Sequence, residues 1–243
     1  MKKLFPILCV ALLSSTSIMA EPGGSIINSK TVLMQQSRVV KDFKGVAAGG
    51  PIDVIVKIGN TESVRFEGDA EAISTLVTEV KSGILIIRPE TSWTSWAKKY
   101  ENKKITAYVT AKTINSLTMS GNGALSVTGA VDGSDLTTTL SGSGSITTDV
   151  NVNELTGVIS GSGNINIKGK ADRAKVTLSG SGRFAGKGLT VESLSTTISG
   201  SGIVNIHAQS QINAVIAGSG QVIYSGAASV KKTVIGSGGV SKI

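Results

Sequence analysis

A four-residue motif, Ser-Gly-Ser-Gly or a near variant, returns seven times in the second half of this chain at a nearly constant spacing. Its first glycine is Gly121, Gly142, Gly161, Gly180, Gly200, Gly218 and Gly236, so the intervals are 21, 19, 19, 20, 18 and 18 residues. A unit this short cannot bury a core of its own and must stack on its neighbours, which is the sequence signature of a solenoid.

Aligning the units on the residue before the first glycine, position zero, shows what each place does. The preceding residues are Met119, Leu140, Ile159, Leu178, Ile198, Ile216 and Val234; five after zero come Leu125, Ile146, Ile165, Phe184, Val204, Val222 and Val240. All are apolar and are flanked by Thr, Ser and Asn, the period-two alternation of half-buried strands. Two before zero stand Thr118, Thr139, Val158, Thr177, Thr197, Val215 and Thr233, all β-branched and suited to a pleated surface. Each unit reads as strand, G-x-G turn, strand and a looser return. The expected fold is all-β: a single-stranded, right-handed parallel β-helix, with about seven C-terminal coils over 113–243 and a more irregular β-rich part before them. At a strand spacing of about 4.8 Å, seven coils make a rod of roughly 30 Å. The residue between the glycines is Asn122, then Ser143, Ser162, Ser181, Ser201, Ser219 and Ser237, an expected polar ladder along one corner.

Composition agrees with a narrow core. Aromatic residues are 4% of the chain and glycine is 30 of 243, while 40% hydrophobic against 16% charged residues is too apolar for disorder. Lys2 and Lys3 precede the apolar run Leu4–Leu13, and Ile18-Met19-Ala20 leads to Glu21. Residues 1–20 therefore read as a signal peptide cleaved after Ala20, with 21–38 as a flexible segment and 39–243 as the folded domain. The ten-residue apolar run is too short to span a bilayer, and no later run is long enough. Cleavage removes Cys9, the single cysteine, and leaves 22 basic and 16 acidic residues, a net of +6. The expected location is the periplasm or the cell exterior, where a basic protein meets anionic polysaccharide or lipid headgroups. No nucleic-acid partner is expected.

Residues 39–112 read as irregular coils, with strands at 63–67, 83–88 and 105–110. Asp69 is placed to cap a short helix over 69–76, in which Ala70, Ile73 and Leu76 keep helical spacing. The stretch AAGGPIDV at 47–54 echoes the repeat, with Gly50 in the place of the second glycine and Ile52 and Val54 at the offsets of Ile165 and Ile167. Residues 91–104, TSWTSWAKKYENKK, form an excursion from the coil.

The G-P-I-D-V opening at Gly50–Val54, the GILII strand at Gly83–Ile87 and the serial SGSG-x-I units resemble the head GIN domain family of autotransporter adhesins. The resemblance covers about residues 39–243. It implies a right-handed β-helical domain in exported envelope proteins, with adhesion as the expected role. The family often has proline near the strand leading into the repeats; here that stretch, AYVTAKTINSL, has none. No translocator barrel, membrane anchor or sortase-type tail is legible before the closing GGVSKI.

Motifs for catalysis are sparse. The G-x-G units never become G-x-G-x-x-G, and no G-x-S-x-G elbow occurs. One histidine and no cysteine after cleavage leave little for a transition-metal site or a triad, and no aspartate follows the glycines in a calcium-binding phase. No catalytic, metal or cofactor-binding residue and no cofactor is therefore assigned, and the expectation is a non-enzymatic binding or structural module. Three places stand out. Asp135, Glu154 and Arg173 fall six before zero in successive units; two carboxylates on adjacent coils, about 5 Å apart, have the spacing of retaining glycosidases and give the alternative reading, a polysaccharide lyase or hydrolase. As a solvated corner the same column has no catalytic meaning. Asp149, Lys168, Lys187 and His207 fall eight after zero, a basic stripe for an anionic glycan or simply a solvated face. Trp93 and Trp96, with Lys98, Lys99, Tyr100, Lys103 and Lys104, make the excursion either a recognition loop or a cap over a coil edge.

Overall fold

Alternation toward one interior turns the repeats into stacked rungs. The computed structural model describes residues 33–90, 100 and 103–243. Its strands are β1 (Leu33–Arg38), β2 (Gly45–Gly49), β3 (Ile52–Ile58), β4 (Ser63–Asp69), β5 (Leu76–Lys81), β6 (Ile84–Pro89), β7 (Ile105–Ala111) and β8 (Ser116–Gly121). They continue as β9 (Ala124–Gly142), β10 (Ser145–Gly161), β11 (Asn164–Gly180), β12 (Arg183–Gly200), β13 (Ile203–Gly218), β14 (Gln221–Ser225), β15 (Ser229–Ile235) and β16 (Gly239–Lys242). One short helix, α1 (Ala70–Ser74), lies between β4 and β5.

From β8 onward every pairing is parallel and the repeats stack in register. Ile146 lies between Leu125 and Ile165, and Ile159 between Leu140 and Leu178. The inward columns are buried from Met119 to Ile216 and from Leu125 to Val222, so the β-helix expected from the repeats is the observed fold. The columns loosen only at the last rung, where Val234 and Val240 are half-buried. In β10, Val150 and Val152 face in, Asn153 and Glu154 both face out, and Leu155 faces in again. This one-residue phase slip is the second corner of the coil.

The two glycines of each turn serve different ends. Gly161 has φ +121°, and a Cβ there would lie 2.5 Å from the carbonyl oxygen of Gly142. Gly163 needs no unusual φ, but a Cβ on it would meet Gly144 O and Leu140 Cδ2, each at 2.6 Å. The first glycine permits the left-handed corner, and the second leaves room for the apolar column of the rung below. Ser162 N and Gly163 N both donate to Gly142 O at 3.0 Å, so the ladder runs unbroken through the corner, with Ser162 exposed outside it. Packing is also matched in size across rungs. A Cβ on Gly157 or on Gly186 would come within 2.9 Å of the buried Phe184 ring, so glycines flank the largest side chain of its column.

Below the repeats the rungs are not in chain order. β2 pairs with both β6 and β8, and β3 with both β7 and β9, all parallel. The rung built from β2 and β3 is thus sandwiched between β6–β7 and the first repeat. The echo at 47–54 is real but sits two residues away from its expected register. Gly50, at φ +81°, lies beneath Gly121 and so takes the first glycine's place. Val54, not Ile52, stacks on Leu125. A shift of two residues keeps every side chain on its face, and Ile52 and Val54 remain fully buried.

This end of the rod is closed. β5 pairs antiparallel with β6, β4 antiparallel with β7, and β1 antiparallel with β4. The strands expected at 63–67, 83–88 and 105–110 are β4, β6 and β7. The helix is shorter than 69–76, but Asp69 caps it as expected, accepting from Ala72 N at 2.9 Å. That N–H and Lys103 hold the Asp69 carboxyl below its usual range. The reading of 21–38 as flexible is corrected for its last six residues, which are β1; residues 21–32 lie outside the described residues. Arg38, the last residue of β1, donates to Leu76 O at 2.5 Å, Ile73 O at 2.9 Å and Thr78 Oγ1 at 2.8 Å. Its guanidinium also lies 5.0 Å over the Phe66 ring. It satisfies carbonyls at the C-terminal end of α1, where a cation is favoured.

Candidate functional site

The carboxylate column forms in register, Asp135 beside Glu154 and Glu154 beside Arg173. All three are exposed on the outer corner. Glu154 Oε2 lies 3.5 Å from Arg173 Nη2, and Asp135 accepts from Ser134 Oγ at 2.6 Å. A hollow of about 360 Å³ on the same rungs is lined by Asp132, Asn151, Lys170, Asp172 and Glu192 among others, and by neither Asp135 nor Glu154. Both carboxylates stand on the solvent side, outside that hollow.

The basic stripe is not a stripe. Asp149 does stack on Lys168, but a register shift after Asn166 sets Lys168 beside Gly188 rather than Lys187. A second shift places His207 beside Thr190. Equal offsets from the turn do not align here, because the unit from Gly180 to Gly200 is longer than its neighbours and takes up the extra residues between Gly186 and Thr190. His207 contacts Ser225 Oγ through Nδ1 and Gln209 Nε2 through Nε2, each at 2.8 Å.

Of the excursion, Trp93, Trp96, Lys98 and Lys99 lie outside the described residues. Its C-terminal end is tied to the cap. Tyr100 is buried, its hydroxyl 2.5 Å from Thr75 Oγ1 and 3.2 Å from Ala72 O, and burial raises its pKa. Lys103 Nζ bridges Asp69 at 3.2 Å and Glu71 at 3.1 Å. Hydrogen bonding to Glu71, then to Asp69, raises the lysine's pKa. These contacts anchor the return of the excursion on α1.

A surface that the sequence reading missed lies on the outer face of β4, β7 and β3. Arg65, Tyr108 and Ile55 are successive partners across these strands. The Arg65 guanidinium lies 4.6 Å over the Tyr108 ring and pairs with Glu67, which also accepts from Gln35 Nε2 at 2.8 Å. Hydrogen bonding, led by Gln35, lowers the Glu67 pKa, and Glu67 in turn raises that of Tyr108. A hollow of about 550 Å³ is lined here by Arg38, Ile55, Lys57, Arg65 and Tyr108, with Val39, 90% exposed, at its rim. The one carboxylate in its lining, Glu62, has a side chain only 9% exposed. It accepts from Asp42 N at 3.1 Å and pairs with Lys112 at 3.6 Å, contacts that lower its pKa, the Asp42 N–H most of all. The hollow therefore presents Lys57, the Tyr108 ring with Arg65 stacked on it and paired to Glu67, and the aliphatic Ile55, while the Arg38 guanidinium is turned to α1 and β5.

A signal for it existed. In Ile52–Ile58, Ile55 stands on the outward phase with Asp53 and Lys57; in Ile105–Ala111, Tyr108 stands outward between Thr106 and Thr110. What sequence could not supply was their adjacency, which depends on the non-sequential rung order.

A family model for "Putative auto-transporter adhesin, head GIN domain" matches residues 42–228. The chain belongs to the head GIN domain family. The match takes in the β2–β3 rung, the cap strands β4 and β5, and the repeats through Ala228. Solved structures share this head GIN architecture. A putative adhesin from Bacteroides fragilis has a TM-score of 0.76 at 20% identity, covering 87% of this chain and 97% of that one. A putative lipid binding protein from Parabacteroides distasonis gives 0.70 at 21%, over 87% and 96%. A putative adhesin from the same species gives 0.68 at 23%, over 88% and 98%. At these identities the likeness is one of fold. No curated protein matches the sequence. Among the described residues, no three His, Cys, Asp or Glu side chains gather as a metal site, and no helix is long and apolar enough to cross a membrane.

Proposed function

We propose that this head GIN domain protein is an exported, non-enzymatic binding module of the bacterial envelope, and that the hollow around Tyr108 takes an anionic polysaccharide. One observation supports the reading: Lys57, Arg65 and Tyr108 line the same open hollow, and the carboxylate in its lining among the described residues, Glu62, is already engaged. An aromatic ring offers an apolar face to a sugar, and cations on a rigid sheet meet its acid groups. The leader-like residues 1–20 support export. The carboxylate column gives the hydrolase reading no comparable support, since Asp135 and Glu154 stand exposed outside the hollow beside them. Lipid binding, named for one neighbour, is less well supported, because the interior columns fill the rod.

The test is calorimetric titration with oligogalacturonate, and with a neutral oligosaccharide of equal length. The expected result is binding of the acidic oligomer only. It should weaken with salt and by about tenfold in Lys57→Ala and in Tyr108→Leu, equivalent to about 1.4 kcal/mol. Lys168→Ala should have no effect. Equal binding of both oligomers, or loss of affinity only in Lys168→Ala, would overturn the assignment of this surface, and release of unsaturated or reducing products would overturn the non-enzymatic reading.

A further inference from the structure

The outer face of the repeats changes sign at one boundary. β9 and β10 hold the carboxylates Asp132, Asp135, Asp149 and Glu154 and no basic residue. β11 holds Lys168, Lys170, Arg173 and Lys175 against Asp172 alone. The change falls in register in three columns. Asp149 lies beside Lys168, Glu154 beside Arg173, and Asn151 beside Lys170 with Asp132 one rung further back. All seven of these side chains are exposed. Among the described residues, Glu154–Arg173 at 3.5 Å is the ion pair that crosses the boundary.

A uniform polyanion or polycation would meet its own sign on half of such a face. The matching surface has the two halves in reverse order, and a second copy of this chain turned end for end supplies it. We infer that two rods associate side by side and antiparallel, about a two-fold axis midway between β10 and β11. β10 of each copy then faces β11 of the other. Asp149 of one meets Lys168 of the other, and Glu154 meets Arg173, each pair occurring twice. A parallel pair would set like charges opposite each other, which is costly.

A neutral column on the same face agrees. It starts at Tyr108 and Ile55, crosses the boundary at Thr147 and Asn166, and reaches Ile223. Reversal about the same axis lays Ile223 of one copy over Tyr108 of the other, apolar on apolar. The eight rungs β7, β3 and β9 to β14, at about 4.8 Å each and about 20 Å wide, give roughly 750 Å² per copy, close to a standard interface. Most of that area is polar, so the pair is weak and forms at high protein concentration and low ionic strength. Pairing hides the Tyr108 surface from a polysaccharide, a consequence that rests on the function proposed above; the pairing itself does not.

Sedimentation velocity of the purified protein at low salt, over a wide range of concentration, tests this with Asp149→Lys and Lys168→Glu. The wild type is expected to form a reversible dimer that added salt weakens. Each variant alone should dimerise at least about tenfold more weakly. Its melting temperature should hold, because both side chains are exposed. An equimolar mixture of the two variants should dimerise as the wild type does, since each supplies the charge that the other's altered position now needs. That rescue separates a lost contact from a lost fold. A wild type that stays monomeric, single variants that pair as well as the wild type, or a mixture no better paired than its components would each overturn the inference. The last result would mean that these charges serve only the stacking of β10 on β11 within one rod.

Discussion

The repeat rod and the capped end are made from the same element, an inward-alternating strand in a parallel stack, yet they are held in different ways. In the rod each rung copies the last, so a position is explained by its column: Ile165 is buried because Ile146 and Phe184 flank it. In the capped end the rungs leave chain order, antiparallel strands cover the edge, and position is explained by particular partners. Arg38 reaches three acceptors on two elements, Glu62 ties the 42–44 loop to Lys112, and Asp69 holds both α1 and Lys103. Repetition needs no polar specificity, whereas an end does, because it must satisfy a sheet edge that has no next rung.

The contrast breaks most visibly at an inward column. Ile165→Asp places an unpaired charge in the dry stack and should cost roughly 4 kcal/mol or more, unfolding several rungs together. Circular dichroism during thermal melting checks this, and an unchanged melting temperature would show that the column is not continuous. The turn comes next. Gly163→Val should cost roughly 2–4 kcal/mol, because its side chain would collide with Gly144 O and Leu140. Ser162→Ala, exposed on the same turn, should stay within about 0.5 kcal/mol. Equal shifts for the two in denaturant titration would remove the division of labour between turn positions.

These two predictions concern the part of the molecule that was legible in the sequence. Period, interior columns and glycine corners could be read because seven copies average out local accidents. Asp69 could be read as a cap because capping is local chemistry. The basic stripe failed because counting from one corner assumes equal rungs, and the extra residues between Gly186 and Thr190 displace Lys187 from the column. β1 was missed because LMQQSR has almost no apolar alternation, and its place is set by pairing with β4 and by the acceptors of Arg38. The Tyr108 surface was missed for a related reason: Ile55 and Tyr108 meet only because the rung order departs from the chain order.

Smaller effects should sharpen the contrast at the cap. Arg38→Met keeps an aliphatic stem but removes the donors to Ile73 O, Leu76 O and Thr78; it should cost about 2 kcal/mol. The loss should appear as faster hydrogen exchange in α1 and β5, with rungs β10–β12 unaffected; uniform acceleration would mean that cap and rod unfold as one unit. Acid should act at the same end and more weakly. Glu62 and Asp69 are held below their usual pKa values in the folded state. Their contribution is therefore complete above the unfolded carboxylate range, about pH 4, and is lost as pH falls through their lower folded values. Protection from exchange, corrected for the intrinsic rate at each pH, should fall first at 42–44 and 69–75 as pH is lowered from about 5, and a first loss of protection in the repeats would contradict this placement.

The stacking order of the lowest rungs carries the whole account of the capped end, and engineered cysteines test it directly. Ala47 is the register partner of both Thr118 and Ile86, and these lie on opposite sides of it. Cys9, in the expected leader, is the single native cysteine. Mild oxidation of Ala47→Cys with Thr118→Cys should give an intramolecular disulfide. Ile86→Cys with Thr118→Cys should not, since two rungs separate those Cα atoms by about 10 Å, beyond the reach of a disulfide. Mass spectrometry of non-reduced peptides reads the outcome. A 47–118 bond without an 86–118 bond is the result this stack predicts; an 86–118 bond forming in preference would mean that the rungs follow the order of the chain.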